Sequence, residues 1–140
     1  TLVHAVLASV PLDAGPDTVR ATAALHARVL GATDDEAAGA TDLATRALAH
    51  PILGRAATAA RRGLCRRETP VAVEIDGVLV EGVVDVAFRD TADGPWTVVD
   101  FKTDLQIGAR REDYMRQVAL YAHAIAEASA APVEAVLLQL

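Results

Sequence analysis

Trp96-Thr97-Val98-Val99-Asp100-Phe101-Lys102 is an apolar run that ends in two opposite charges, and Lys102 is the only lysine of the 140-residue chain. Read as a strand, the run fixes what those charges do. Side chains two apart share a face, so Asp100 and Lys102 project together while Val99 and Phe101 pack the other way. A carboxylate and an ammonium then meet at one strand end. Such a pair suits phosphodiester hydrolysis, in which a carboxylate holds a divalent cation and a cationic side chain steadies the charge building on phosphate and on the attacking water.

Upstream, residues 71–75 read as a strand running into Asp76-Gly77, a strong hairpin signal, and residues 78–88 as the returning strand. A polar turn, Asp90-Thr91-Ala92-Asp93-Gly94-Pro95, leads into residues 96–102, so three antiparallel strands form a meander. Downstream, after a linker through Gly108, residues 110–130 carry helical spacing, with Met115, Val118, Ala122 and Ile125 on an apolar stripe. Tyr114, Gln117 and Tyr121 lie along an adjoining face. Residues 133–140 form a near-continuous apolar run, as expected of a buried strand carried back to the sheet.

The first half reads as helical over residues 1–10, 17–30, 36–49 and 52–63, with Asp17 and Asp34 or Asp35 as caps. The class is therefore α/β: a mixed sheet containing an antiparallel three-strand meander, a helical N-terminal half, and a helix crossing to a final strand. We expect one domain over 1–140, helical through residue 67 and sheet-forming from 68 onward. A first residue other than methionine and a hydrophobic last strand lead us to expect a piece excised from a longer protein.

Composition removes several classes. Apolar residues make up 52% of the chain and aromatics 4%, which implies an ordered core built mainly of Ala, Val and Leu. No apolar stretch is long enough to cross a bilayer and no signal-peptide pattern follows Thr1, so a cytoplasmic protein without a membrane partner is expected. Cys65 is alone, which excludes an internal disulfide, a four-cysteine zinc site and a cysteine-held iron-sulfur cluster. Lys102 follows Phe101, so there is no phosphate-binding Gly-Lys-Ser/Thr loop, and neither Ser9 nor Ser129 sits in a Gly-x-Ser-x-Gly elbow. The net charge of −6 argues against unaided capture of nucleic acid. Two arginine groups, Arg61, Arg62, Arg66 and Arg67, then Arg110, Arg111 and Arg116, read first as solvated faces.

Asp-x-Lys by itself is a common tripeptide, and its context supplies the specificity. The preceding strand carries Asp85 amid valines in Gly82-Val83-Val84-Asp85-Val86, an expensive position unless the acid is paired or metal-bound. On neighbouring strands Asp85 and Asp100 can share one hard cation through their oxygens. A structural salt bridge between Asp85 and Lys102 accounts equally well for these two strands alone.

Five blocks occur in a fixed order: Leu2-Val3-His4-Ala5-Val6-Leu7, Glu68-Thr69-Pro70-Val71, Gly82-Val83-Val84-Asp85, Val99-Asp100-Phe101-Lys102-Thr103-Asp104, and Tyr114-Met115-Arg116-Gln117-Val118-Ala119-Leu120-Tyr121. Together they resemble the PD-(D/E)XK nuclease superfamily, specifically the C-terminal nuclease domain of RecB/AddA-type (UvrD/Rep-like) helicase-nucleases. The resemblance spans nearly the whole chain. It implies a restriction-endonuclease-like three-layer core in which His4, Asp85 and Asp100 ligate Mg²⁺ or Mn²⁺, joined by the carbonyl of Phe101. It gives Lys102 the task of positioning the nucleophilic water and stabilising the transition state. Gln117 and Tyr121, four apart on one helix face, orient the site or touch DNA phosphates. Glu68 either hydrogen-bonds near the metal-bound water or solvates the start of a strand, and Asp104 caps the loop leaving the strand. His26, His50 and His123 match no block and are expected to be structural or surface residues.

The implied activity is a metal-dependent DNA exonuclease that works with an ATP-dependent helicase in DNA-end resection, recombination and double-strand-break repair. Its partners would be single-stranded DNA or DNA ends, the helicase domains of a parent chain, and a second helicase-nuclease subunit. ATP would enter only through those helicase domains. The acidic charge fits delivery of DNA by a motor. Two competing readings are a catalytically inactive nuclease-like module for docking or DNA guidance, and a restriction-type endonuclease acting alone. The first is disfavoured because His4, Asp85, Asp100 and Lys102 are all present, the second because of the helix motif and the acidic charge.

Overall fold

In a computed structural model of the chain, which describes residues 1–103 and 107–140, Asp76 and Gly77 turn the backbone with φ of 52° and 76°. Two successive left-handed residues give the tight hairpin turn whose twist matches the flanking strands. The turn joins β1 (Cys65–Ile75) to β2 (Val78–Phe88), which pair antiparallel from Ile75–Val78 to Cys65–Phe88. β1 begins at Cys65 rather than at residue 71. As the edge strand, β1 has one side with no ladder to complete, so charged Arg66 and Arg67 and the amide-less Pro70 are tolerated in it.

β3 (Trp96–Lys102) continues the meander antiparallel to β2, and β4 (Val133–Gln139) returns parallel to β3, giving the order β1-β2-β3-β4. The expectation of a mixed α/β sheet holds. β4 is less buried than its apolar run suggested, because it forms the other edge; only Leu138 in it is fully buried.

The crossing helix α5 (Ile107–Ser129) starts ahead of residue 110, so Gly108, expected in a linker, lies within it. Asp104 falls outside the described residues. The buried stripe is Val118, Tyr121 and Ala124 with Ile125 beside it, packed on Val84, Ala87 and Val98. Met115, expected on that stripe, is 44% exposed. The stripe is rotated by Tyr121, whose large ring finds its space against β2.

Helices α1 (Leu2–Ser9), α2 (Pro16–Leu30), α3 (Asp34–Leu48) and α4 (Pro51–Arg61) precede the sheet. The chain divides into two compact units, Thr1–Ala57 with Leu140, and Thr58–Gln139. In the first, α1 buries Val3, Val6 and Leu7, while Val19, Ala23 and Ala27 are the buried residues of α2 and Ala40, Ala44 and Ala47 those of α3. Small side chains let those helices approach closely. Among the described residues no helix is long and apolar enough to cross a membrane.

The caps differ from expectation. α2 is capped by Gly15 with a proline in its first turn, and α3 by Thr33; Asp17, Asp34 and Asp35 instead occupy first turns. Thr33 prevails because it forms a reciprocal box: its Oγ1 accepts the Glu36 N–H at 3.3 Å, and Glu36 Oε2 accepts the Thr33 N–H at 2.8 Å. The backbone hydrogen bond from Thr33, aided by the Thr33 hydroxyl, holds the Glu36 carboxyl below the usual carboxylate range. A depressed folded-state value means the contribution is complete above the ordinary carboxylate pKa and fades as pH falls through that range. Glu36→Ala is therefore expected to lower the urea midpoint at neutral pH, with the gap to wild type narrowing below about pH 4. A gap that does not depend on pH would count against the box.

Candidate active site

The alternation of β3 places Asp100 and Lys102 on one face, with Lys102 Nζ 2.7 Å from Asp100 Oδ2. Asp100 is 3% exposed, one of two polar residues among the buried positions described. The approach is an ion pair rather than an aligned hydrogen bond, so Oδ2 sits buried with no hydrogen-bond donor directed at it. Desolvating both charges costs at least as much as their attraction returns, and the pair is weak as a stabilising device. Such a placement is characteristic of a functional site.

Asp85 occupies a break in the sheet. The β2–β3 ladder runs through Phe88–Thr97, Ala87–Val98 and Val86–Val99, and its next rung would set Asp85 across from Asp100. That backbone rung is missing. Asp85 Oδ2 instead accepts the Phe101 N–H at 2.7 Å, so a side chain stands in for the ladder. On the other flank Arg67 pairs with Val86 and Thr69 with Val84, while Glu68, which the same register sets across from Asp85, is unpaired in the ladder. Glu68 is exposed and has a left-handed φ of 46°, a costly conformation for a residue with a Cβ. The strand alternation slips here: Val84 and Ala87, three apart, both join the cluster under α5.

Lys102 is half-buried and meets three groups. Besides Asp100, its Nζ donates to Gln117 Oε1 at 3.0 Å and lies 4.9 Å from the centroid of the Tyr114 ring. Gln117 Nε2 donates in turn to Tyr121 Oη at 2.8 Å. The spacing of α5 explains the reach, since residues three and four apart stack along one face. Arg110 Cζ is 5.6 Å from the same Tyr114 ring.

The second unit thus brings together Asp85, Asp100, Phe101, Lys102, Gln117 and Tyr121, with Glu68 across the sheet from Asp85. His4 lies on α1 in the first unit, its Nδ1 in contact with Thr1 Oγ1. Two residues with no role assigned from sequence now have one: Tyr114, which shares the face of Gln117 by its spacing of three, and Gly82, against which Tyr121 packs. Other groups drop out. Burial pushes the Cys65 thiol up, which keeps it protonated and poorly nucleophilic. Arg62 and Arg66 donate to the backbone carbonyls of Asp90 and of Gly63 and Cys65, and exposed Arg116 pairs with Glu112 and Asp113.

The donor set fits a hard divalent cation. Among the described residues no three His, Cys, Asp or Glu side chains converge to enclose a metal, but Mg²⁺ is ordinarily held by one or two carboxylates plus water and substrate phosphate. Asp100, with a buried oxygen lacking an aligned donor, and Asp85, which the β2–β3 register would set across from it, are two carboxylates of that kind.

No curated protein matches the chain. The family model of the PD-(D/E)XK nuclease superfamily matches residues 1–140, and the chain belongs to that superfamily.

Proposed function

We propose that this chain is the DNA exonuclease domain of a RecB/AddA-type helicase-nuclease, acting in DNA-end resection, recombination and double-strand-break repair in the cytoplasm. The observation that carries the chemistry is the buried Asp100–Lys102 pair with Asp85 opposite. Superfamily membership supports a metal-dependent nuclease in general; the order of the five sequence blocks supports the narrower class. Residues 1–140 would form one nuclease domain of a longer protein, supplied with DNA by helicase domains and a second subunit.

Asp85 and Asp100 would hold Mg²⁺ or Mn²⁺, with His4 and the Phe101 carbonyl as further ligands carried over from the family pattern. When bound, the ion supplies charge neutralisation at phosphate and acidifies water. Lys102 donates a hydrogen bond toward the attacking water and the phosphate oxygen on which charge accumulates. Water oxygen bonds to phosphorus, the phosphorus–oxygen bond to the leaving nucleotide breaks, and the released oxygen takes up a proton. Glu68, exposed and across from Asp85, is placed to hydrogen-bond water near the carboxylates. Gln117 and Tyr121 steady Lys102 from behind.

End-labelled single-stranded DNA incubated with the chain and Mg²⁺ or Mn²⁺ is expected to shorten from an end, while circular single-stranded DNA resists. Asp85→Asn keeps the acceptor for the Phe101 N–H and is expected to stop degradation and to weaken Mn²⁺ binding in calorimetry. Degradation and Mn²⁺ affinity both equal to wild type would overturn the site, and cutting of circles would shift the assignment to an endonuclease.

A further inference from the structure

Gly82 has an ordinary strand φ, so its backbone conformation does not call for glycine; space does. A Cβ at this position would lie 2.8 Å from Oη and 2.9 Å from Cζ of Tyr121, closer than real contacts allow. Tyr121 is 8% exposed and cannot swing aside into solvent without leaving the core. The missing side chain is therefore the seat of the Tyr121 ring.

The seat matters because of what the Tyr121 hydroxyl does. An ammonium only donates, so Lys102 must meet the oxygen end of the Gln117 amide. The two ends of an amide are nearly identical in shape, and shape alone does not choose between them. The donor-only ammonium makes the choice, since a tyrosine hydroxyl can donate or accept; Tyr121 Oη then anchors the far end of the amide by accepting from Gln117 Nε2 at 2.8 Å, with Oε1 on Lys102 Nζ at 3.0 Å. We propose that Gly82 and Tyr121 are positioning residues: the space at Gly82 seats the Tyr121 ring, and the Tyr121 hydroxyl anchors the Gln117 amide so that its Oε1 holds the Lys102 ammonium beside Asp100. Tyr114 closes the remaining side with its ring face. The role in catalysis rests on the nuclease reading of the site; the positioning itself does not.

Because Lys102 is the only lysine, labelling the chain with ¹³C,¹⁵N-lysine yields a single side-chain ammonium resonance. In wild type this signal is expected to be displaced from that of free lysine and to relax as an ordered group. Tyr121→Phe keeps the ring but frees the amide, and the signal is expected to move toward the free-lysine position, as it should in Gly82→Ala. Gln117→Glu supplies a charged acceptor that pairs with the ammonium without the Tyr121 anchor, so adding it to Tyr121→Phe is expected to restore order. In parallel, Tyr121→Phe is expected to lower kcat on DNA about tenfold, the equivalent of one hydrogen bond, with little change in KM.

A lysine signal unmoved by Tyr121→Phe would overturn the proposal, as would a Gln117→Glu/Tyr121→Phe double variant no more ordered than Tyr121→Phe. If the signal responds as described while Asp85→Asn still degrades DNA and binds Mn²⁺ like wild type, the assignment of the active site fails and the amide anchor stands. Tyr121→Phe is isosteric, so the result does not depend on whether Gly82→Ala folds.

Discussion

Lys102→Met is expected to lower single-turnover DNA cleavage by about 10²- to 10³-fold, the range seen when one preorganised donor to a developing oxyanion is removed. Methionine keeps the apolar stem against Tyr114 and removes the charge, so packing changes little. What remains is a carboxylate at Asp100 that is 5% exposed at its side chain and has lost its counter-charge. Removing one partner of a buried pair costs about 3–5 kcal/mol, far more than the pair itself contributes. The variant should therefore melt earlier than wild type in the absence of metal, and added Mg²⁺ should recover part of the difference by neutralising Asp100 again. Lys102→Arg should not rescue activity, because a planar fork cannot reproduce three divergent contacts to Asp100, Gln117 and Tyr114. Cleavage by Lys102→Met within threefold of wild type would remove the lysine from the mechanism.

Phe88→Ala is expected to produce the largest loss of stability, about 3–5 kcal/mol. Phe88 is fully buried at the end of β2, where it pairs with Thr97 on one side and Cys65 on the other. It is one of only two phenylalanines, in a core dominated by alanine, valine and leucine. Neighbouring valines and alanines cannot extend to fill the space it leaves. Against a typical total of about 5–15 kcal/mol, such a loss would leave a substantial unfolded fraction at 37 °C. Urea denaturation followed by circular dichroism measures it, and a shift under about 1 kcal/mol would mean that the site collapses far more readily than its burial implies.

Much of the sheet was legible because its signals are local. Asp76-Gly77 marks a turn by chemistry alone, and the valine-rich runs on either side alternate as strands do. The first half of β1 was not legible: the sequence predicts a strand only from residue 71, after Pro70, and only the edge position of the strand makes arginines and a proline acceptable there. The joint projection of Asp100 and Lys102 followed from parity, and the stacking of Gln117 and Tyr121 from a spacing of four. Gly82 and Tyr114 stand in two of the five blocks, but what they do was not legible, for a different reason. Their roles depend on contacts between distant segments, and at Gly82 the functional feature is an atom that is not there. Nor does any spacing rule reveal that the Asp85 carboxylate takes over a backbone rung, since that requires knowing where the ladder stops.

The pairing of β3 also bears on the order of assembly. Between β2 and β3 only three rungs form, whereas β3 and β4 align over seven, from Trp96–Val133 to Lys102–Gln139. Asp100 and Lys102 lie on the portion of β3 that β4 alone supports in the ladder, opposite Leu137 and Gln139. A parallel partner of this kind arrives only after the intervening helix has been made, and its loop-closure entropy is paid late. During synthesis, then, the chain carries every acidic residue of the site in a meander whose reactive end is still unsupported. On the nuclease reading, residues 1–140 would therefore gain a supported cleaving site only once β4 has docked on β3.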